Sequence, residues 1–499
     1  VRTPDADFLA LPLDAIADAG LSTARSLGAS HADVRVHRLI NQSIRLRDGR
    51  VQSVNDSVTT GFAVRVIVDG TWGFAASPRM SAEAAHDVAR QACEVARTLS
   101  PLNRDPVTLA DEPIYADVSW VSPYDIDPFT VDTADKIELL RDYSSRLLDT
   151  PDVDHATAGI SQVKEQTFYA DLAGSRITQQ RVRLHPDITA ITVAGGSFES
   201  MRTLAPPAGR GWEYLTTGWD WDGELAQIPS WLAEKVAAPT VVAGPTDLVI
   251  DPTNLWLTIH ESIGHATEYD RAIGYEAAYA GTSFATPDKL GTMRYGSECM
   301  TVTADRNEPH GLASVGYDDD GVASQKWDLV RDGRFVGYQL DRAFAPRLGV
   351  ARSNGCSYAD SPLHVPIQRM ANVSLQPDPE RDTTTAELIS RVEDGLYIVG
   401  DRSWSIDMQR YNFQFTGQRF FRIRNGELAG QVRDVAYQAT TTDFWGSMEA
   451  VGGPSTWRLG GAFNCGKAQP GQVAAVSHGC PSVLVRGVNV LNAREEAGA

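Results

Sequence analysis

The sequence predicts an α+β fold in two parts. An N-terminal domain sets helices on an antiparallel meander, and a C-terminal, mainly antiparallel β domain is interrupted by one irregular helix. Three observations predict it. Residues 32–77 alternate with period two through successive runs, separated by Asp48-Gly49 and Asp69-Gly70, the dipeptides of tight hairpin turns. The flanking segments repeat apolar residues at helical spacing instead. Beyond residue 240, long strand-like segments punctuated by Gly, Pro and Asp-Gly surround a single strong helical pattern. Helices and strands grouped in this way form α+β layers rather than a doubly wound parallel sheet.

In chain order, Leu13, Ile16, Ala17, Leu21, Ala24 and Leu27 place an apolar stripe on a helix over 10–28, which Gly28 ends. The meander follows. A second helix over 81–98 opens at Ser81, with Glu83 in its first turn. A third, over 131–149, leads into alternating strands through about residue 204. Residues 205–245 change composition, with Pro206, Pro207, Pro229, Pro239 and Pro245 and several Trp, and the domain boundary is placed here: 1–225 N-terminal, 226–499 C-terminal. Strand-like segments are expected at 327–340, 411–425, 431–438 and 483–490.

Composition narrows the function. With 499 residues, 42% hydrophobic and 22% charged, the chain is an ordinary globular protein. Its net charge of −19 argues against nucleic acid and anionic membrane, both of which reward clustered Lys and Arg. Cys93, Cys299, Cys356, Cys465 and Cys480 are odd in number and contain no CxxC pair, which favours a reducing, cytoplasmic setting. No apolar run approaches the roughly 18–20 residues of a membrane span. The first fifteen residues carry no basic segment feeding an apolar core, so no signal peptide is expected.

The chemistry sits in residues 247–270, DLVIDPTNLWLTIHESIGHATEYD. They read as a short strand, Asp251 as helix cap, Pro252 at the first helical position, and then His260-Glu261-Ser262-Ile263-Gly264-His265. Chance would supply roughly 0.03 such H-E-x-x-x-H patterns in a chain of this composition. The zinc-peptidase helix usually spaces its histidines i,i+4, on one face. At i,i+5 the second imidazole is turned about 140° from the first, so a regular helix cannot aim both at one metal. Either a π-bulge absorbs the extra residue, or Gly264 ends or kinks the helix. A local irregularity at 262–265 is therefore expected. With both histidines on Zn²⁺, Glu261 is placed to act as general base on the water. The alternative is two buried histidines on different faces making ordinary hydrogen bonds. A catalytic zinc needs a third protein ligand, and spacing leaves Cys465, His478, Cys480, His310 and Glu268 as candidates.

These residues resemble the TldD/PmbA peptidases, in particular the TldD branch that carries H-E-x-x-x-H. HESIGHATEYD looks like the family's metal helix, and RDGRVQSV with VRVIVDGTWGFAAS like its N-terminal meander. RMANVSL (369–375), EDGLYIVG (393–400), YNFQFTGQRFFRIRNGEL (411–428) and CGKAQPGQ (465–472) follow in family order. The resemblance implies a zinc metallopeptidase with His260, His265 and Cys465 as ligands and Glu261 as the catalytic base. It also implies a dimer, with a PmbA/TldE-like subunit or with a second copy, enclosing a chamber that admits short or unfolded peptides held as extended strands. Glu268 is a candidate to orient a metal-bound imidazole, or else an exposed helix carboxylate. His478 is a candidate donor near the metal, or else a surface or structural histidine. Other readings are a tailoring amidase that cuts a C–N bond in a small metabolite, and a non-catalytic partner subunit.

Two further patterns are set aside. Gly461 to Lys467 matches the start of a P-loop but lacks the Ser or Thr and the following helix, so nucleotide binding is rejected. Asp318-Asp319-Asp320-Gly321 lacks the spaced ligands of a calcium loop and reads as a solvated hairpin turn. No G-x-S-x-G elbow supports a serine hydrolase.

Overall fold

The computed structural model describes residues 2–194 and 197–496. The α+β class holds, with mostly antiparallel sheets. Helix α1 (Leu13–Ser26) leads into β1 (His31–Arg47), β2 (Arg50–Val68) and β3 (Thr71–Ser77), and α2 (Ala82–Leu99) follows, its N-terminus capped by the Ser81 hydroxyl on the Ala84 N–H. The turns fall at Asp48-Gly49 and Asp69-Gly70, all four residues at positive φ. The sheet is completed by β4 (Val118–Val121), β5 (His155–Asp171), β6 (Arg176–Ala194) and β7 (Ser197–Arg202), with α3 (Thr133–Leu148) preceding β5. Its order is β3-β2-β1-β5-β6-β4, with β7 on β6.

Strands β1, β2, β5 and β6 are 17 to 19 residues long, so each runs about 55–65 Å. One face is long enough for two helical layers end to end. Even-numbered residues form that face: Val34, Val36, Phe62, Val64 and Phe168 pack with α1 and α2, while Ile44, Ala158 and Ile188 pack with α3 and α4 (Trp221–Ala237). Helix α4 lies within the Pro- and Trp-rich stretch taken as a boundary region. Pro229 stands inside it, yet Trp221, Leu225, Ile228 and Leu232 are buried in the first sheet's core. The expected division at 225/226 thus falls inside this helix.

The odd-numbered residues of the same strands are charged where they face the second half. Arg35 Nη1 donates to Asp319 Oδ2 (2.6 Å), and Arg65 Nη2 to Asp320 Oδ1 (2.6 Å). Asp318, Asp319 and Asp320 are all buried. They are not a solvated turn: Arg35 and Arg65 pair with Asp319 and Asp320, and backbone N–H donors hold Asp318, whose carboxyl is pushed well above its usual value by burial and neighbouring Asp320.

The second half centres on a sheet that returns on itself. Strand β8 (Gly244–Ile250) is followed by α5 (Pro252–Ile259), β9 (Asn372–Leu375), β10 (Asp394–Ile406), β11 (Asn412–Arg424), β12 (Val435–Thr440), β13 (Arg458–Lys467), β14 (Gln472–Cys480) and β15 (Val483–Asn492). The pairing runs β10-β8-β15-β12-β11 and closes because β11 also pairs with β10, and only β8–β10 is parallel. Closure gives each of these strands a neighbour on both sides over part of its length. Strands β13 and β14 form a separate hairpin. Two expected strands are broken. Positive φ at Asp332 and Gly333 divides 327–340 into Lys326–Arg331 and Arg334–Phe335, and Asp434 divides Glu427–Val432 from β12. Among the described residues, no helix is long and apolar enough to cross a membrane.

The buried Arg35–Asp319 pair carries a testable consequence. Removing one partner strands the other in low dielectric, so Asp319→Ala should destabilise the protein by about 3–5 kcal/mol. Denaturant unfolding measures this; a loss below about 1 kcal/mol would show that the junction does not depend on the pair.

Candidate metal centre

Asp251 caps α5 by accepting from the Thr253 N–H, and Pro252 occupies the first turn, as the sequence indicates. At His260 the helix widens into a π-turn over His260–Gly264, followed by a 3₁₀ turn over His265–Thr267. The extra residue per turn offsets the 140° mismatch of the i,i+5 spacing. The His260 and His265 ring centroids lie 4.6 Å apart. Gly264 leaves room for the Met370 side chain, whose Sδ a Cβ would meet at 2.5 Å.

Cys465 arrives from β13, where the ladder to β14 is irregular between Ala462 and Cys465. His260, His265 and Cys465 are buried, and one donor atom of each lies within 4.8 Å of the others. Cys465 Sγ is 3.5 Å from His265 Nε2. Glu261, also buried, accepts from Arg410 Nη1 at 2.9 Å.

The surrounding hydrogen bonds fix which ring nitrogens are free. His478 Nδ1 lies 2.8 Å from the Val373 carbonyl, which can only accept, so that nitrogen carries the proton. Burial, reinforced by neighbouring His260, holds His478 well below the ordinary imidazole range, hence neutral. Its Nε2 is then an acceptor, and His260 Nδ1, 2.7 Å away, must donate to it. The lone pair of His260 is left on Nε2. On the other side, His265 Nδ1 donates to Glu268 Oε2 (2.8 Å), leaving its own Nε2 lone pair toward Cys465. Burial also lowers both His260 and His265, against the pull of nearby acids. For Cys465 burial acts upward, but His265, as the imidazolium that takes the thiol's proton, and the Arg369 guanidinium outweigh it and bring the thiol below its usual value. Two neutral imidazoles and an acidified thiol fit a metal ion.

Glu268 is fully buried rather than exposed on a helix. Burial alone would raise its carboxyl, but Lys467, His265 and Arg271 hold it well below the normal range. Lys467 Nζ donates to Glu268 Oε1 (3.0 Å), Asp270 Oδ1 (2.8 Å) and the Gln368 carbonyl (2.8 Å). The P-loop-like run is thus a strand whose lysine is sealed in ion pairs. Of the other candidate ligands, His310 lies against the Gly209 carbonyl and Cys480 against that of Pro252, outside the cluster. Sequence reasoning missed Arg410, Arg369 and Arg271. Nothing marks Arg410, which comes from the turn between β10 and β11 at φ +62°.

Residues 243–492 match the family model described as "PmbA/TldA metallopeptidase C-terminal domain", and residues 32–96 that of "PmbA/TldA metallopeptidase domain 1". A metalloprotease of Methanothermobacter thermautotrophicus is 28% identical over 464 residues, covering 92% of this chain and 95% of its own. The "Zinc metalloprotease TldD homolog" of Saccharolobus solfataricus is 23% identical, covering 94% and 98%. TldE from Thermococcus kodakarensis shares the fold with a TM-score of 0.71 at 15% identity, covering 94% of this chain and 98% of its own. The two matched segments hold the meander and the entire His260, His265 and Cys465 cluster, and the chain belongs to the PmbA/TldD family of metallopeptidases.

Proposed function

We propose that the chain is a zinc-dependent peptidase acting on short or unfolded peptides, with His260, His265 and Cys465 as metal ligands and Glu261 as general base. The observation that carries this reading is the convergence of two imidazole Nε2 atoms and one thiol beside a buried, adjacent glutamate. When bound, zinc would supply Lewis acidity that polarises a carbonyl and acidifies water. Glu261 takes the proton of the attacking water on its carboxylate and returns it to the leaving amine. Arg410 holds Oε2, so Oε1, which has no hydrogen-bond partner among the described residues, is the oxygen available for that transfer. His478 and Glu268 hold the two imidazoles by Nδ1 and leave each Nε2 free, so that His260 and His265 would hold the metal through those atoms.

Strand β13 pairs only with β14 among the described residues, so its outer edge, with Trp256 beside Arg458–Phe463, can accept an extended peptide as an added strand. The shared fold of TldE supports pairing with a TldE-like subunit or a second copy to enclose the site. Five unpaired cysteines support a cytoplasmic setting. An intact Glu261 beside the ligands weighs against a purely structural subunit.

Glu261→Gln should keep one zinc per chain while peptide cleavage falls about 10²–10⁴-fold, and full activity in that variant would remove Glu261 as the base. Cys465→Ser and His265→Ala should each lower zinc content by elemental analysis; unchanged stoichiometry would strike that residue from the ligand set.

The histidine relay makes a separate prediction. His478→Phe removes the acceptor for His260 Nδ1 and should weaken zinc about 10–100-fold in a chelator competition, whereas His478→Gln keeps an acceptor and should retain most of the affinity. Equal losses in the two variants would mean that His478 only fills space.

A further inference from the structure

A cleft of about 600 Å³ lies where the two halves of the chain meet, away from the His260, His265 and Cys465 cluster. Its size is that of a small-molecule site, and such sites favour domain junctions. One wall comes from β3, with Trp72 and Phe74; the other comes from Tyr275, Phe344 and the carboxylates of Asp270, Glu276 and Asp341.

Charge is unbalanced in it. The two cationic residues that line it are already paired: Arg65 with Asp33 and Asp320, and Arg347 with Asp105. Asp270 shares Lys467 with Glu268. Asp341 and Glu276 face the cleft with no cationic partner among the described residues; the Glu276 carboxylate accepts only the Ala468 N–H among them. Asp341 is 8% exposed. Its Oδ1 accepts the Ala343 and Phe344 N–H groups (2.9 and 2.8 Å), while Oδ2 has no hydrogen-bond partner among the described residues. That oxygen is not sealed off: it is reachable from the cleft and is left for a donor that enters there.

The walls identify what is missing. The chain's own guanidinium groups already use these aromatic faces, Arg65 at 4.5 Å from the Trp72 centroid and Arg347 at 5.6 Å from that of Phe344. A metal ion does not suit the site. Among the described residues, the one set of three His, Cys, Asp or Glu donors within 4.8 Å is the His260, His265 and Cys465 cluster, so these carboxylates do not converge on a point. Dispersed acids along an aromatic-walled cleft suit an extended cation.

We propose that this cleft binds an organic cation, a guanidinium or ammonium group on an apolar stem, with Asp341 as its counter-ion. The cation is either a free small amine or the side chain of an arginine or lysine in a peptide. The inference does not rest on the peptidase reading. Burial, with Asp320 and Asp270 nearby, raises the Asp341 carboxyl to about 7. An arriving cation would therefore favour its ionised form, with Asp105, Glu276, Arg65 and Arg347 completing the charged lining.

Titration calorimetry with agmatine, with a blocked pentapeptide holding a central arginine, and with its neutral citrulline counterpart tests this. At least one cationic probe should saturate at one site per chain, and the tighter of the two identifies the source. The citrulline peptide should bind at least about tenfold more weakly, and Asp341→Asn, which keeps an oxygen for the two backbone N–H groups, should weaken the cation by about tenfold or more. Unchanged thermal unfolding of the variant confirms its fold. In the wild type, affinity should rise between about pH 6 and about pH 8 as Asp341 ionises. Absence of saturable binding by both cations, or equal affinity in wild type and Asp341→Asn, would overturn the proposal. The second result would place any peptide bound at the metal centre instead.

Discussion

One additional residue in one helical turn governs the site. Widening over His260–Gly264 brings two imidazoles separated by five positions to the same side of the helix. A π-turn costs backbone hydrogen bonds, and buried carbonyls cannot be left without donors. Here side chains supply them: the Tyr295 hydroxyl donates to the Ser262 carbonyl, the Thr267 hydroxyl to Ile263, and Gln339 Nε2 to Gly264. Trp445 Nε1 donates to the Ser262 hydroxyl. The irregular turn is therefore over-determined by its surroundings, and Gly264 admits the end of the Met370 side chain closer than a Cβ would allow without a shift.

That turn places demands on distant parts of the chain. His260 is held through His478 on β14 and the Val373 carbonyl on β9; His265 is held through Glu268, whose charge requires Lys467 on β13 and Arg271. Buried ion pairs of this kind are weak contributors to net stability, because desolvation offsets their attraction. Their role here is geometric. Each fixes a tautomer or an angle that an apolar substitute would leave free. Lys467 also bonds Asp270, so the network supporting His265 ends at the wall of the cleft between the two halves.

Legibility in the sequence followed the range of the interactions. Hairpins at Asp48-Gly49 and Asp69-Gly70, the Ser81 and Asp251 caps and the irregularity near 262–265 depend on neighbours within a few residues, and each was readable there. Helix α4 was hidden because Pro229 and its tryptophans read as a linker, while its stability comes from burying Trp221, Ile228 and Leu232 against the first sheet. Asp319 and Asp320 read as part of a wet turn because their partners, Arg35 and Arg65, lie more than 250 positions away. Burial of Glu268 was unreadable for the same reason: Lys467 is 199 positions distant. The cluster of Cys465 with the two histidines was implied by resemblance to a family, since spacing alone left five candidates open.

The alternation of the long strands explains how the parts combine. A strand with period two can give one face to an apolar core and the other to charge, and β1, β5 and β6 do so along much of their length and β2 over its second half, residues 61–68. The apolar face is covered by α1 to α4. The opposite face presents Arg35, Arg65, Arg181 and Glu165 toward the second half, with Arg181 lying 5.0 Å over the Tyr358 ring. A junction built on charge rather than grease needs partners at fixed positions, because an ion pair weakens sharply when its atoms separate or water enters. Asp319 and Asp320 supply those partners, and the same junction leaves room for a cleft in which Asp341 has none among the described residues. A one-residue slip of β1 or β2 would turn its arginine into the apolar core and its valines toward the aspartates. The register of the first sheet is thus tied to the second half by the same contacts that hold the two together.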